Sequence, residues 1–218
     1  MKILITLCIL FCATSSFGQD SLELRVMTSI CNCLDTTTIL TNTSFRRCFE
    51  NSIKENMTLV LHSIKDTSKG HSYEIGRKFG QVLFDKVSVD MIYNCDIYFH
   101  YMDTLRLSSL QNLNRDSIKG LIQQMDKIDH QKKDGNFYTQ RGIMNIQVSK
   151  MDSALSDFDN AIKLDQNTIQ DKFLKAWVLE TIKRFDEALT IYKDLTSKTN
   201  NIIFKINEAI VRRKKDGL

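Results

Sequence analysis

The chain of 218 residues contains no proline and only 8 glycines. Proline interrupts the interior of a helix and glycine weakens it, so the scarcity of both favours helix along the whole chain. Tryptophan occurs once. A hydrophobic fraction of 42% and a charged fraction of 26% are typical of a soluble globular protein. The composition therefore predicts an all-α fold.

Long hydrophobic runs are also scarce. The longest spans residues 3–13, and it is too short to cross a bilayer, which takes about 20 residues. A lysine precedes this run and small residues follow it, which is the pattern of a cleaved signal peptide. Its ending, Phe17-Gly18-Gln19, resembles signal peptides of Bacteroidota. We therefore expect residues 1–19 to be a signal peptide cleaved near residue 18-19, a secreted or periplasmic protein, and no stable membrane span.

Charge of one sign is not concentrated in this chain. Removing residues 1–19 takes away one lysine and no acid, which lowers the net charge from +4 to +3. The one dense basic run is residues 212–215, near the C-terminus. Basic residues in the last turn of a helix interact favourably with the helix dipole and usually face solvent. A nucleic-acid binder would carry a concentrated basic face, so no nucleic-acid partner is predicted.

No catalytic constellation is present. The chain has no metalloprotease, nucleophile-elbow, phosphate-loop or dinucleotide motif, and its histidines are scattered. We therefore predict a protein that is not an enzyme, with no catalytic residue, no metal site and no cofactor. Acidic residues near the middle of the chain are expected on a solvated face rather than in a cleft. These are Asp152, Asp157, Asp159 and Asp165.

Four cysteines remain after removal of the signal peptide: Cys31, Cys33, Cys48 and Cys95. An even number of cysteines in an oxidising compartment indicates disulfides. Cys31 and Cys33 lie about 200° apart around a helix, so they should have different partners. Two pairings remain open, Cys31–Cys48 with Cys33–Cys95, or Cys31–Cys95 with Cys33–Cys48. A four-thiolate zinc site is the rival interpretation, but a C-x-C pair within a helix fits zinc geometry less well.

Apolar residues at helical spacing predict a disulfide-linked helical bundle over residues 20–110. Its helices are expected over 22–34, over 44–64, and from 72 to 102 with a bend near Ser88. A shorter helix is predicted within residues 111–134, as a connecting or capping element. The stripe of that helix is Ile118, Leu121, Ile122, Met125 and Ile128.

A sequence pattern repeats at a fixed spacing in the second half of the chain. The segment that contains Ala154 and Phe158 returns 34 residues later with Ala188 and Tyr192. This period, with small residues at Gly142 and the alanines, resembles the tetratricopeptide repeat pattern W-x2-L-G-x2-Y, A-x3-F, P. Further residues match this spacing: Tyr138, Ala161, Ala176, Leu179 and Leu195. Departures from the pattern are Arg141 and Lys175 in place of leucine, Asn145 in place of tyrosine, and Gln166 and Asn200 in place of proline.

The resemblance implies two repeat units, 135–168 and 169–200, in a short α-solenoid. Residues 201–218 are predicted to form a capping helix, because a terminal repeat needs a polar outer face. Its apolar stripe is expected to pack back onto the second unit, and consists of Ile203, Ile206, Ile210 and Val211. The predicted fold is thus all-α, with an N-terminal helical bundle, a short tetratricopeptide-type α-solenoid and a C-terminal capping helix.

In tetratricopeptide proteins the first helix of each unit lines a groove that receives another protein or a peptide. Carried over by position, this partner-binding groove is Thr139, Ile143, Ile146, Phe173, Trp177 and Glu180. Trp177 could instead pack inside the fold, since large aromatics serve both purposes. The lysine and asparagine pairs that clamp a terminal carboxylate in some family members are absent. The function predicted is an exported scaffold that binds a protein partner; alternatively, the four-cysteine bundle is the active module, for metal, redox or small-molecule binding.

Overall fold

The structure is a computed structural model that describes residues 21–37, 40–63, 72–108, 115–128, 133–165 and 168–217. The predicted signal peptide, residues 1–19, lies outside these described residues. Eleven helices and no strand are present in the part of the chain that is described. The all-α prediction is therefore confirmed.

The helices follow one another with short connections. In chain order they are α1 (Leu22–Asp35), α2 (Asn42–Glu55), α3 (Met57–Ser63), α4 (Ser72–Asn94), α5 (Asp96–Ser108), α6 (Arg115–Asp126), α7 (Gly135–Gln147), α8 (Met151–Leu164), α9 (Ile169–Thr181), α10 (Phe185–Thr199) and α11 (Ile202–Asp216).

Helices α1, α2, α4 and α5 surround one hydrophobic core, and two disulfides cross it. Cys31 is bonded to Cys95 and Cys33 to Cys48, with Cα–Cα distances of 5.8 and 5.6 Å. The structure thus selects one of the two pairings that the sequence left open. All four sulfurs are bonded, so they offer no thiolate set for zinc in this state.

Two helix boundaries differ from the expectation. The segment predicted as one helix from 44 to 64 divides at Asn56, whose side-chain amide donates to the Ser52 carbonyl at 2.9 Å. In the third region α4 continues without a break through Ser88, which is buried inside it. It breaks at Cys95, one turn after Ile92, whose carbonyl accepts a hydrogen bond from the Arg213 guanidinium at 2.7 Å. A side chain that enters the helical hydrogen-bond ladder is a known cause of such breaks.

Helices α7 and α8 form one antiparallel hairpin, and α9 and α10 form a second with the same local geometry. Ser149 and Lys183, at equivalent positions 34 residues apart, both adopt a left-handed conformation, with φ of 63° and 62°. In each loop the backbone amides of this residue and of the residue after it donate hydrogen bonds to carbonyl oxygens of the preceding helix, as in a Schellman motif. The period read from the sequence is therefore also a period of backbone conformation.

Small residues let the helices of a hairpin approach closely. A Cβ added at Gly142 would lie 2.8 Å from Cε1 of Phe158, which is fully buried. Ala154 and Ala188 are likewise fully buried at the corresponding contacts of the two hairpins. Phe158 therefore packs against the glycine of its own hairpin.

One acidic residue expected on a solvated face is buried. Asp157 accepts hydrogen bonds from the Arg141 guanidinium, the shortest at 2.6 Å, and from the Asn145 amide at 2.8 Å. Donation of hydrogen bonds to Asp157 raises the pKa of Arg141. Arg141 and Asn145 are two of the departures from the repeat pattern in the first unit, and Asp157 of the same hairpin accepts hydrogen bonds from both. Buried polar groups need such partners.

Helix α11 packs against both α10 and α4. Ile206 and Ile210 belong to the bundle core, while Phe204 and Val211 belong to the core of the hairpins. Ile203 is 54% exposed. The expected stripe therefore does not face the second hairpin alone, because the bundle lies against the other side of α11.

Candidate partner-binding groove

The six groove residues lie on α7 and α9, at equivalent positions of the two hairpins. They divide into two groups by exposure. Half-buried are Thr139, Ile143 and Phe173; buried are Ile146, Trp177 and Glu180. We call the first three the half-buried strip.

The half-buried strip begins at a hydrogen bond between the two helices. The Thr139 hydroxyl donates to Oδ1 of Asp171 at 2.6 Å, which joins the first helix of one hairpin to the first helix of the next. Ile143 and Phe173 pack against the hairpin core on one side and keep part of their surface in solvent. The Phe173 ring lies 5.5 Å from the ring of Phe204 and 6.0 Å from that of Tyr192. The strip therefore presents two partly exposed apolar side chains, Ile143 and Phe173, beside the Thr139–Asp171 hydrogen bond.

Trp177 lies inside the fold. Its side chain is 8% exposed and belongs to the hairpin core together with Phe204 and Val211 of α11. Of the two roles that the sequence left open for this residue, the structure places it in packing. An external ligand would meet only a small fraction of the indole in this conformation.

Glu180 is held by a buried ion-pair cluster. The Arg106 guanidinium donates to both of its carboxylate oxygens, at 2.7 and 3.0 Å, and the Lys214 ammonium donates at 2.9 Å. Glu180 is 6% exposed. Bidentate arginine–carboxylate contacts are among the stronger hydrogen-bonded pairs in proteins. Helices α5, α9 and α11 are thus tied together at this end of the groove.

Asp103 and Asn207 complete the cluster. Asp103 accepts from Arg106 at 2.5 Å and from Lys214 at 2.7 Å, and the Asn207 carbonyl oxygen accepts from Arg106 at 2.6 Å. Two cations thus face two carboxylates, so the charges of the cluster balance. We call these five side chains the Arg106 cluster: Asp103, Arg106, Glu180, Asn207 and Lys214.

The pKa shifts in the Arg106 cluster follow from burial opposed by pairing. Burial raises the pKa of Asp103, but hydrogen bonds from Lys214 and Arg106 outweigh it and leave that pKa below its ordinary value. Burial lowers the pKa of Arg106, but hydrogen bonding and charge from Glu180 raise it further than burial lowers it. Both groups are therefore charged at neutral pH. The position that the repeat resemblance assigns to a partner is occupied at Glu180 by the chain's own α5.

Sequence reasoning found Glu180 but missed the rest of the Arg106 cluster. One signal was available, because Lys214 lies 34 residues after Glu180 and therefore at the equivalent position of the next helix. Asp103 and Arg106 carried no such signal, since their contacts depend on how the bundle packs against the hairpins.

Two further clefts lie on the bundle. One, of about 720 Å³, opens between α1 and α2 beside the Cys33–Cys48 disulfide. The other, of about 540 Å³, lies between α2 and α4 and has an aromatic wall formed by Phe45, Phe49 and Phe84. Both lie outside the groove that the sequence predicts.

None of the helices in the described ranges combines the length and apolar character needed to cross a membrane. Among these same residues no group of three or more histidine, cysteine or acidic side chains is placed to hold a metal ion. Comparison of the chain with protein-family models, with curated proteins and with solved structures gave no match.

Proposed function

We propose that this chain is an exported, non-enzymatic scaffold that binds another protein through the half-buried strip on α7 and α9. The observation that carries the proposal is the repetition of the two hairpins, in sequence, in helix length and in loop conformation. Such repetition builds a continuous face from equivalent positions, and repeat proteins of the tetratricopeptide type use that face for binding. The resemblance of residues 135–200 to that family is part of the proposal.

The half-buried strip is the best candidate contact surface on this face. Ile143 and Phe173 offer apolar surface on side chains that are already ordered by packing, so a partner would bury them at little cost in side-chain entropy. Trp177 and Glu180 are engaged inside the fold. We therefore place the binding contact at the half-buried strip, and not at Trp177.

Export is supported by two features. The first is the signal-peptide pattern of residues 1–19, and the second is the pair of disulfides, which persist in oxidising compartments. A secreted or periplasmic location agrees with both features. The partner would then be another protein of the cell envelope or the secreted fraction.

Site-specific photo-crosslinking tests the binding site directly. A benzoylphenylalanine at position 143 is expected to crosslink a defined protein from the periplasmic and secreted fractions of the source organism. The matched control carries the same group at Leu164, which is 58% exposed at the end of α8. The same protein captured equally at both positions, or at neither, would argue against a binding face at the strip.

Substitutions then measure the strip's contribution. Ile143→Ala and Phe173→Ala are each expected to weaken the crosslinked partner's affinity about tenfold, the size of a typical interface contact. Leu164→Ala serves as the control and should leave the affinity unchanged. Far-UV circular dichroism separates a lost contact from a lost fold, because all three variants should retain the helical signal. Unchanged affinity in both strip variants would reject the strip.

A second function is favoured by a different observation. The four-cysteine bundle carries the cleft between α1 and α2, and one disulfide lies in the lining of this cleft. A zinc-binding role would require the sulfurs to be free thiolates, and they are bonded. A role in thiol–disulfide exchange does not require free thiolates, because the exchange begins from the bonded sulfurs.

A further inference from the structure

The cleft between α1 and α2 has both cysteines of the Cys33–Cys48 disulfide in its lining. The rest of the lining is mostly polar, and the side chains that can bind a ligand's polar groups are Arg25, Thr28, Asn32 and Asn51. A hydrogen bond of 2.6 Å from the Ser29 hydroxyl to Glu55 joins the two helices across the cleft. The disulfide therefore lies beside an open, hydrogen-bonding cavity.

The two cysteines of this disulfide differ in exposure. Cys48 is fully buried, at 0% exposure, and belongs to the bundle core. Cys33 is only partly buried and packs against the edge of that core. A thiolate must approach one sulfur directly, along the line of the bond that breaks, so access selects the sulfur that is attacked. Both cysteines line the cleft, but only Cys33 keeps part of its surface in solvent, so Cys33 is the cysteine that is attacked and Cys48 carries the departing sulfur.

The other disulfide has different surroundings. Cys31 is partly buried, as Cys33 is, and Cys95 is buried at the junction of α4 and α5, but neither Cys31 nor Cys95 lines the α1–α2 cleft. The bond between them closes a loop of 64 residues, against 15 for Cys33–Cys48. Opening it therefore releases a longer segment of the chain and disturbs the core through α4.

We propose that Cys33–Cys48 is an exchange site for small peptide thiols of the size of glutathione, while Cys31–Cys95 is a structural bond. The incoming thiolate forms a new bond to Sγ of Cys33, and the bond between the Cys33 and Cys48 sulfurs breaks. The electron pair of the broken bond leaves on Cys48, which takes up a proton from solvent, because its apolar surroundings favour the neutral thiol. The products are a mixed disulfide on Cys33 and a free thiol at Cys48.

The chemistry of the cleft lining fits this class of thiol. Arg25 can pair with a carboxylate of the bound thiol, and the amides of Asn32 and Asn51 can hydrogen-bond its peptide groups. The site is separate from the half-buried strip on α7 and α9, so it stands or falls independently of the proposed partner binding.

The test uses the folded, full chain and reduced glutathione as the probe. After exposure at pH 8 the sample is quenched, the free thiols are alkylated, and unreduced tryptic peptides are analysed by mass spectrometry. Residues 48–54 and 87–106 form separate tryptic peptides, so alkylation of Cys48 and of Cys95 is read independently. We expect glutathione on Cys33 and alkylated Cys48 to appear about tenfold faster than any product at Cys31 or Cys95.

Blocking the cleft provides the matched control. Asn32→Trp fills the cleft from α1 and should slow the exchange at Cys33 about tenfold, whereas Asp35→Trp, exposed on the same helix outside the lining, should not change it. Asn51→Trp blocks the cleft from α2 and replaces Asn32→Trp if that variant loses its helical signal. Equal rates at the two disulfides, earlier opening of Cys31–Cys95, or exchange unaffected by both cleft variants would each overturn the proposal.

Discussion

Single small residues set the spacing of helices in the hairpins, and among the described glycines Gly142 has the closest contact. A methyl group at this position would lie 2.8 Å from Cε1 of the Phe158 ring, which has no solvent side to move into. Gly142→Ala should therefore destabilise the fold by about 1–3 kcal/mol, even though alanine is the better helix former by roughly 1 kcal/mol. Urea unfolding followed by circular dichroism measures this change.

Gly120 supplies the control for this prediction, because it lies within α6 and a Cβ there would meet nothing within 4 Å. Gly120→Ala should leave stability unchanged or raise it by up to about 1 kcal/mol. A stable Gly142→Ala protein with an unchanged unfolding midpoint would mean that α7 and α8 can separate to admit a methyl group, contrary to the close packing described above.

At the scale of single residues, some contacts were predictable from the sequence and others were not. Gly142, Ala154 and Ala188 were predictable, because close packing within a hairpin requires small residues at a fixed spacing. The burial of Trp177 was not, since it depends on Phe204 and Val211 of α11, whose orientation the period does not determine. The cysteine pairing was not predictable for a similar reason, because it depends on where Cys95, immediately before α5, lies relative to α1 and α2.

At the scale of elements, the Arg106 cluster determines how α5, α9 and α11 are held together. Its contacts span 74 residues between Arg106 and Glu180, and 101 between Arg106 and Asn207. Only the 34-residue relation of Glu180 to Lys214 was visible in the sequence. Charged residues of mixed sign at scattered positions usually indicate solvated surface, so nothing in the residue pattern predicts Arg106 at this site.

Asp103 makes this cluster sensitive to acid. Its pKa lies below the ordinary value in the folded chain, because the hydrogen bonds from Lys214 and Arg106 outweigh the effect of burial. A carboxylate with a lowered folded pKa stabilises the fold above its unfolded pKa, near 4, and this contribution is lost as pH falls through the folded value. Asp103→Asn should therefore cost about 2 kcal/mol at pH 7 and progressively less below pH 4.

Urea unfolding of the Asp103→Asn and parent proteins at a series of pH values measures how the difference in their stability decreases below pH 4. Asp194→Asn is the comparison, because Asp194 makes an exposed ion pair with Lys198 within α10 and should change stability by less than about 0.5 kcal/mol at any pH. A difference between Asp103→Asn and the parent protein that stays constant from pH 7 to pH 3 would show that the carboxylate's charge is not what stabilises the cluster.

For the whole molecule, α11 connects the bundle and the hairpins. One side of this helix gives Ile206 and Ile210 to the bundle core, and another gives Phe204 and Val211 to the hairpin core. The Arg213 guanidinium adds a hydrogen bond to the Ile92 carbonyl and lies 4.3 Å from the centre of the Phe99 ring. Because α11 belongs to both cores, the unfolding of either core removes packing contacts from the other.

We therefore expect the bundle and the hairpins to unfold together, and Ile210→Ala tests this coupling. Ile210 is fully buried in the bundle core, so truncation should cost about 2–5 kcal/mol, whereas Ile203→Ala on the exposed side of α11 should cost less than about 0.5 kcal/mol.

Trp177, the one tryptophan, reports the hairpins by fluorescence, and far-UV circular dichroism reports all helices. If the cores are coupled, Ile210→Ala lowers both urea midpoints equally, because the free energy lost in the bundle is lost to the whole cooperative unit. A fluorescence midpoint that stays at the parent value while the circular dichroism midpoint falls would instead mean that the hairpins are stable without the bundle, and that α11 holds to them independently.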